Sequence, residues 1–346
     1  MTTRLEEIAA FETQRAKQRE KDFKHDLAVV LASSCLLIVF LHIGIGIYGL
    51  MYALREPIAR AIAGIKDISL DEATETFKAF YNSEILENVV QLIVTALYII
   101  VPVLAAKKLL RNKPKNIYPL KLAFPQKAGS FIFFSMGICY TVTLICSLIF
   151  GDLYPDVSVI ETNSGLLTVI VNFILIVIVA PFGEELLFRG VFYQGLAKYS
   201  QPFAIFLSAL IFGLAHRNPP QVINAFVMGI CIAIGFAKTG SITLCVLIHL
   251  ANNAFSFMLS YLISDDSYIL TVLISIAVIG IMGFAVAMMI SFAVTKKSGI
   301  LNYDEIKIDY PRLSGRRARV WLVKNPLFYI FIALVSAGVA LLYIKL

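Results

Sequence analysis

Nine mainly apolar stretches recur along this chain of 346 residues: 27–54, 85–106, 130–150, 165–188, 202–216, 220–237, 241–263, 267–294 and 326–344. A helix that crosses a bilayer needs about 20 such residues. Lipid offers no water to satisfy peptide groups, and a helix satisfies its own. These stretches therefore predict an all-α, polytopic integral membrane helical bundle of about eight or nine transmembrane helices. The chain is 59% hydrophobic and only 15% charged, against about 25% charged in a soluble domain. The fifth stretch is short. Gly229 and Ala233 in the sixth are i, i+4 small residues of the kind that let membrane helices approach closely.

The charges that remain are gathered. The tail carries Arg4, Arg15, Lys17, Arg19, Lys21 and Lys24, and the connections 107–129 and 295–325 are also strongly basic. Connection 151–164 holds Asp152, Asp156 and Glu161 without a base, and 264–266 holds Asp265 and Asp266. Nine crossings with the N-terminus inside put every strongly basic connection in the cytoplasm and both purely acidic ones outside, as the positive-inside rule demands. Residues 55–84 then face outward, where an amphipathic helix on the membrane surface is expected. The first 26 residues are charged and lack an apolar core, so no cleavable signal is expected. The net charge of +7 comes with no aromatic–basic module, which argues against nucleic-acid binding. The five cysteines, Cys35, Cys139, Cys146, Cys231 and Cys245, all fall in apolar segments without metal spacing, and read as small hydrophobes. The chain divides into a charged tail (1–26), N-terminal membrane helices (27–164), a core (165–263) and C-terminal membrane helices with a basic loop (264–346).

The core carries charges that a membrane helix bears at a cost. Residues 181–189 read Pro-Phe-Gly-Glu-Glu-Leu-Leu-Phe-Arg, and each such charge costs roughly 2.5–3.5 kcal/mol at a helix centre on insertion scales. Glu185 and Arg189 are i, i+4 and share a face, so they are expected to pair. Glu184 lies around the helix from that pair. Phe212 and His216 are again i, i+4, as are His249 and Asn253. Ser200 lies midway between Glu184 and His216. A helical hairpin turning there brings both to one level, provided the fourth helix continues. If Pro181 and Gly183 break it, Glu184 moves towards the cytoplasmic face. Asn218-Pro219-Pro220 signals a break just after His216. His42, alone in the first stretch, reads as a hydrogen-bonded packing residue. Spacing alone leaves a catalytic site and a proton or ion pathway equally open.

There is no His-Glu-x-x-His zinc motif and no Gly-x-Ser-x-Gly nucleophile turn. The series Glu184-Glu185-x-x-x-Arg189, Phe212-x-x-x-His216, His249-x-x-x-Asn253 resembles the three-motif signature of the CAAX protease and bacteriocin-processing (CPBP, or Abi) intramembrane protease family, over about residues 165–260. Phe188-Arg189-Gly190 fits the same pattern.

The resemblance implies an intramembrane endopeptidase acting on membrane-associated peptides or proteins. In it Glu184 and His216 bind and activate a water, His249 and Asn253 stabilise the oxyanion, and Glu185, Arg189 and Phe212 support them. A positioned carboxylate serves as base and then acid in such a hydrolysis, and amide or imidazole donors stabilise the oxyanion. The favoured mechanism requires no cofactor, because no second carboxylate is clearly free to act as base beside a metal. The alternative within the family is Zn²⁺ held by Glu184, His216 and His249, which suits a metal that takes three protein ligands and a water. The implied partners are a peptide or protein substrate and the lipid bilayer, with no nucleic acid. The short loops suggest a bacterial plasma membrane. Two other classes use the same polar groups structurally: a non-catalytic bacteriocin-immunity or scaffold protein, and a transporter, although no two-fold repeat is visible.

Overall fold

The computed structural model describes residues 2–111, 128–150, 165–263, 268–295 and 313–343. Among them there is no strand, and the chain is an all-α polytopic membrane bundle. The helices are α1 (Thr2–Ala53), α2 (Arg55–Lys66), α3 (Leu70–Tyr81), α4 (Glu84–Leu109), α5 (Ala128–Phe150), α6 (Leu166–Ala197), α7 (Gln201–Ala215), α8 (Pro219–Thr239), α9 (Ile242–Ile263), α10 (Tyr268–Thr295), α11 (Gly315–Lys324) and α12 (Pro326–Tyr343).

All nine apolar stretches are helical where described. Among the described residues seven helices are long and apolar enough to span a bilayer, and an eighth, the lower of the expected eight or nine, is reached if α11 and α12, bent by 68° at Asn325, form one span. The fifth stretch becomes α7, only 15 residues long, because the chain turns at Lys198–Ser200 on one side and at Arg217–Asn218 on the other. The connections that carry the orientation argument fall largely in 112–127, 151–164, 264–267 and 296–312, outside the described residues. The charged tail continues into the first span as one helix, α1. Residues 55–84 form two short helices instead of one. Asp67 ends α2 in the left-handed conformation (φ 52°). Ser69 then starts α3 by accepting a hydrogen bond from the Glu72 amide. Ser83 caps α4 in the same way through Leu86.

The core of the bundle is built around α6. It packs against α4, α7 and α9, while α8 lies between α7 and α5 and α1 runs along α4 and α12. Phe188, Val191 and Phe192 of α6 are fully buried with Phe212 of α7 and Ile232 of α8. The seam between α7 and α8 is narrow. A methyl group on Gly213 would lie 2.7 Å from the Val222 carbonyl oxygen and 3.0 Å from the Phe226 nitrogen. The two backbones approach this closely because that position carries no side chain.

Helix α6 does not break at Pro181 and Gly183. It runs unbroken for 32 residues, but its winding widens to π-helical turns over Ile174–Val179 and Leu186–Tyr193. The first wide turn ends just ahead of Pro181, which has no N–H to give the ladder. Such insertions are frequent at functional sites, and here they bracket Glu184 and Glu185.

Candidate functional site

Glu184 and Glu185 are neighbours with different surroundings. The Glu185 side chain is fully buried, as is Arg189 one turn on, and Arg189 Nη1 meets Glu185 Oε1 at 2.8 Å. Arg189 Nη2 donates to the Gly229 carbonyl at 2.9 Å, which ties α6 to α8. The guanidinium also lies over the Phe212 ring, 5.1 Å from its centre. Glu185 Oε1 takes a further bond, from His249 Nδ1 of α9 at 2.9 Å. A paired carboxylate only accepts, so Nδ1 carries the proton and the second ring nitrogen, Nε2, faces the other way. It lies 3.9 Å from Glu184 Oε2.

Glu184 keeps 17% of its side-chain surface exposed where Glu185 keeps none, so it is the carboxylate open to water. Its other oxygen, Oε1, accepts a 3.1 Å hydrogen bond from the Tyr98 hydroxyl of α4. Close contact of α4 with α6 makes this bond. A methyl on Gly183 would lie 2.7 Å from Ile99 Cγ2, so only glycine lets the segment carrying Tyr98 come so near.

His216 ends α7, and its Nδ1 donates to the Phe212 carbonyl at 2.9 Å, which leaves Nε2 for another partner. Asn253 lies one turn beyond His249. One of its amide hydrogens goes to the Ile176 carbonyl at 3.0 Å. That carbonyl belongs to the wide-turned part of α6. Asn252 Nδ2 contacts Asn253 Oδ1 at 3.5 Å.

Two cavities meet at Phe212 and His216, which line both. The larger, about 240 Å³, is also bordered by His249, Asn253, Asn224 and Met228. The smaller, about 200 Å³, holds Glu184, Tyr98 and Arg217. Thus Glu184 shares a cavity with His216 but not with Asn253, and Phe212 and His216 stand between the two spaces. Phe212 packs edge-on against both imidazoles, with ring centres 5.1 Å from His216 and 5.4 Å from His249. Of the seven residues singled out in the sequence, Phe212 and His216 border both cavities, Glu184 the smaller, and His249 and Asn253 the larger, while Glu185 and Arg189 are fully buried and Glu185 holds His249.

Five contributors were not singled out by sequence. Tyr98 sits 86 positions from its partner, and a lone tyrosine in an apolar span gives no local signal. Arg217 follows His216 directly, and a cation beside a membrane histidine was a usable clue. Asn252, Ser256 and Ser260 extend His249 and Asn253 into a polar stripe at helical spacing along the larger cavity. The spacing was visible in the sequence.

Among the described residues no three His, Cys, Asp or Glu side chains gather closely enough to hold a metal ion. His249 Nδ1 and His216 Nδ1 are both engaged by protein oxygens, which leaves Nε2 of each ring available and is an arrangement a metal-binding histidine also adopts. No step below is routed through a metal. The five cysteines are free, and all but Cys35 are buried.

The fold and these residues define a polar, carboxylate–imidazole site enclosed in a helical membrane bundle. Residues 166–255 match the family model described as type II CAAX prenyl endopeptidase Rce1-like. The matched segment runs from the start of α6 through most of α9 and contains all three motifs, so the resemblance to the CAAX protease family holds, and that family is one of proteases. No curated protein and no solved structure matches the chain.

Proposed function

We propose that this protein is an intramembrane endopeptidase in which Glu184 activates a water molecule for attack on a peptide carbonyl. The observation that carries the reading is the placement of Glu184. Its carboxylate is open to a cavity shared with His216, is held by Tyr98, and lies 3.9 Å from His249 Nε2. Water between Glu184 and His216 Nε2 loses a proton to the carboxylate as its oxygen attacks the carbonyl carbon. The negative charge that develops on the carbonyl oxygen is met by the second amide hydrogen of Asn253 and by His249, which donates from Nε2 only in the imidazolium form that carries a proton on both ring nitrogens. The carbon–nitrogen bond then breaks, and Glu184 returns the proton to the departing amine. The products are one fragment with a new carboxylate and one with a new amine. Glu185 and Arg189 fix the His249 ring and the winding of α6.

The matched family's description names prenylated CAAX chains as its substrates, that is, proteins ending in a lipid-bearing cysteine and three further residues. A lipidated peptide of this class suits a site enclosed by membrane helices. The basic N-terminal tail is placed in the cytoplasm on the positive-inside argument.

The test uses the full-length protein in vesicles with a fluorogenic prenylated C-a-a-X peptide. The wild type cleaves it, and Glu184→Gln, which keeps the shape and loses the base, falls by about 10²–10⁴-fold while folding normally. A Glu184→Gln protein that cleaves as well as the wild type removes the catalytic role and leaves a scaffold.

A further inference from the structure

Arg217 has no use in the chemistry above, and its surroundings are unusual. It lines the Glu184 cavity with Tyr98 and His216. Its Nε and Nη1 are buried and have no hydrogen-bond partner among the described residues. No carboxylate there reaches it as an ion pair within 4.0 Å. Its backbone is left-handed, φ 58°, which a side-chain-bearing residue adopts only when its surroundings hold it there. The facing helix leaves room for it. A methyl on Gly338 of α12 would lie 2.8 Å from Arg217 Cδ and 2.5 Å from His42 Nε2, itself buried and without a partner. Among the described residues, the fold thus leaves two nitrogens of a half-buried guanidinium, Nε and Nη1, without a partner at the wall of the Glu184 cavity. Buried donors left without a partner are costly, and an oxyanion that takes these two N–H groups recovers that cost.

We propose that Arg217 binds the free C-terminal carboxylate of the peptide substrate. This rests on the endopeptidase reading. Two functions of one fragment then fall in the same cavity. The amine that leaves takes its proton from Glu184, and the carboxylate at the other end of that fragment sits on Arg217. The part of the substrate before the cut occupies the larger cavity beyond Phe212 and His216. The fragment released is then the one that ends in the carboxylate held by Arg217.

The experiment compares two prenylated C-a-a-X peptides, identical except for a C-terminal acid or carboxamide, with full-length protein in neutral phosphatidylcholine vesicles. The wild type is expected to prefer the acid by about tenfold or more in kcat/KM, the size of a charge-assisted hydrogen bond, and mainly through KM. In Arg217→Gln the acid-to-amide ratio falls towards one, and Arg217→Lys, which keeps the charge but loses the planar fork, lies between. Equal cleavage of acid and amide by the wild type overturns the proposal, as does a preference that survives in Arg217→Gln. In both cases Glu184-dependent cleavage continues, so the protease reading stands. Cleavage of neither peptide by the wild type overturns that reading and this inference with it. A lipid phosphate is the other source of such an anion. If anionic phospholipid abolishes the acid preference, or raises the melting temperature of the wild type but not of Arg217→Gln, the guanidinium grips a headgroup and the proposal falls. Should Arg217→Gln fail to fold, the wild-type comparison and Arg217→Lys still decide.

Discussion

The Tyr98 hydroxyl donates a 3.1 Å hydrogen bond to Glu184 Oε1, which leaves Oε2 facing His249 Nε2 at 3.9 Å. One oxygen of the carboxylate is thereby fixed by α4 and the other is turned towards the imidazole. Removing the hydroxyl alone, as Tyr98→Phe, keeps the ring in its packing and frees the carboxylate to rotate. A hydrogen bond to a charged group contributes about 1.5–3 kcal/mol. We expect kcat on a prenylated peptide to fall about 10–100-fold, with KM and melting temperature little changed. An unaltered kcat means that Tyr98 only fills space.

The buried pair of Glu185 and Arg189 carries a different load. Arg189→Ala strands the Glu185 carboxylate, and breaking a buried pair from one side costs about 3–5 kcal/mol. Folded yield in detergent should drop along with activity. Glu185→Ala should be as harmful, since it also releases His249 Nδ1. The double variant should lose less than the sum of the two, because no charge is left unpaired. Size-exclusion profiles and thermal melts of the three proteins check this. A normal melt for Arg189→Ala argues against a structural role for the pair.

How far the sequence foretold this site follows from the range of each signal. The pairing of Glu185 with Arg189, the approach of His216 to Glu184 and the turn after His216 all arise within one helix or one hairpin, where a 3.6-residue period and a short connection fix geometry. The Tyr98–Glu184 bond depends on how α4 lies on α6, and nothing local in either segment states that. Glu185 was expected to pair with Arg189, and it also holds His249, a contact 64 residues distant that needs the α6–α9 packing. The winding of α6 was undecided for a similar reason. Pro181 and Gly183 favour a break locally, whereas the observed helix absorbs them in widened turns and stays continuous. Of the expected eight or nine spans, the short fifth stretch is the one that does not reach spanning length, because the turns at both ends of α7 limit it to 15 residues.

The seam between α7 and α8 gives a prediction about stability. Gly213→Ala places a methyl against the backbone of α8, 2.7 Å from the Val222 oxygen, and backbone yields little. Overpacking of this kind costs about 1–3 kcal/mol. At Gly46 of α1 a methyl meets nothing within 4 Å, and the better helix propensity of alanine is worth about 1 kcal/mol. Thermal unfolding in detergent should therefore show Gly213→Ala melting below the wild type and Gly46→Ala at or above it. Equal melting of the two would mean that α7 and α8 are not packed as closely as described. Because Gly213 lies next to Phe212, the first variant should lose activity as well.

Asn253 separates positioning of the oxyanion from activation of water. One of its amide hydrogens is spent on the Ile176 carbonyl, so the side chain is anchored and the second hydrogen is free to meet the charge that forms on the substrate. That interaction exists only as the carbonyl oxygen becomes negative, so its loss should appear in kcat and leave KM nearly unchanged. Asn253→Ala is expected to lower kcat about 10²–10³-fold. Asn253→Asp keeps the size but presents a carboxylate where a donor is needed, and should be at least as inactive. In a Glu184→Gln background, adding Asn253→Ala should cost less than it does alone, because little attack remains for the oxyanion site to assist. Measured kcat values for the two single variants and the double variant decide it. A rise in KM with kcat intact would move Asn253 from the oxyanion to ground-state binding of the peptide.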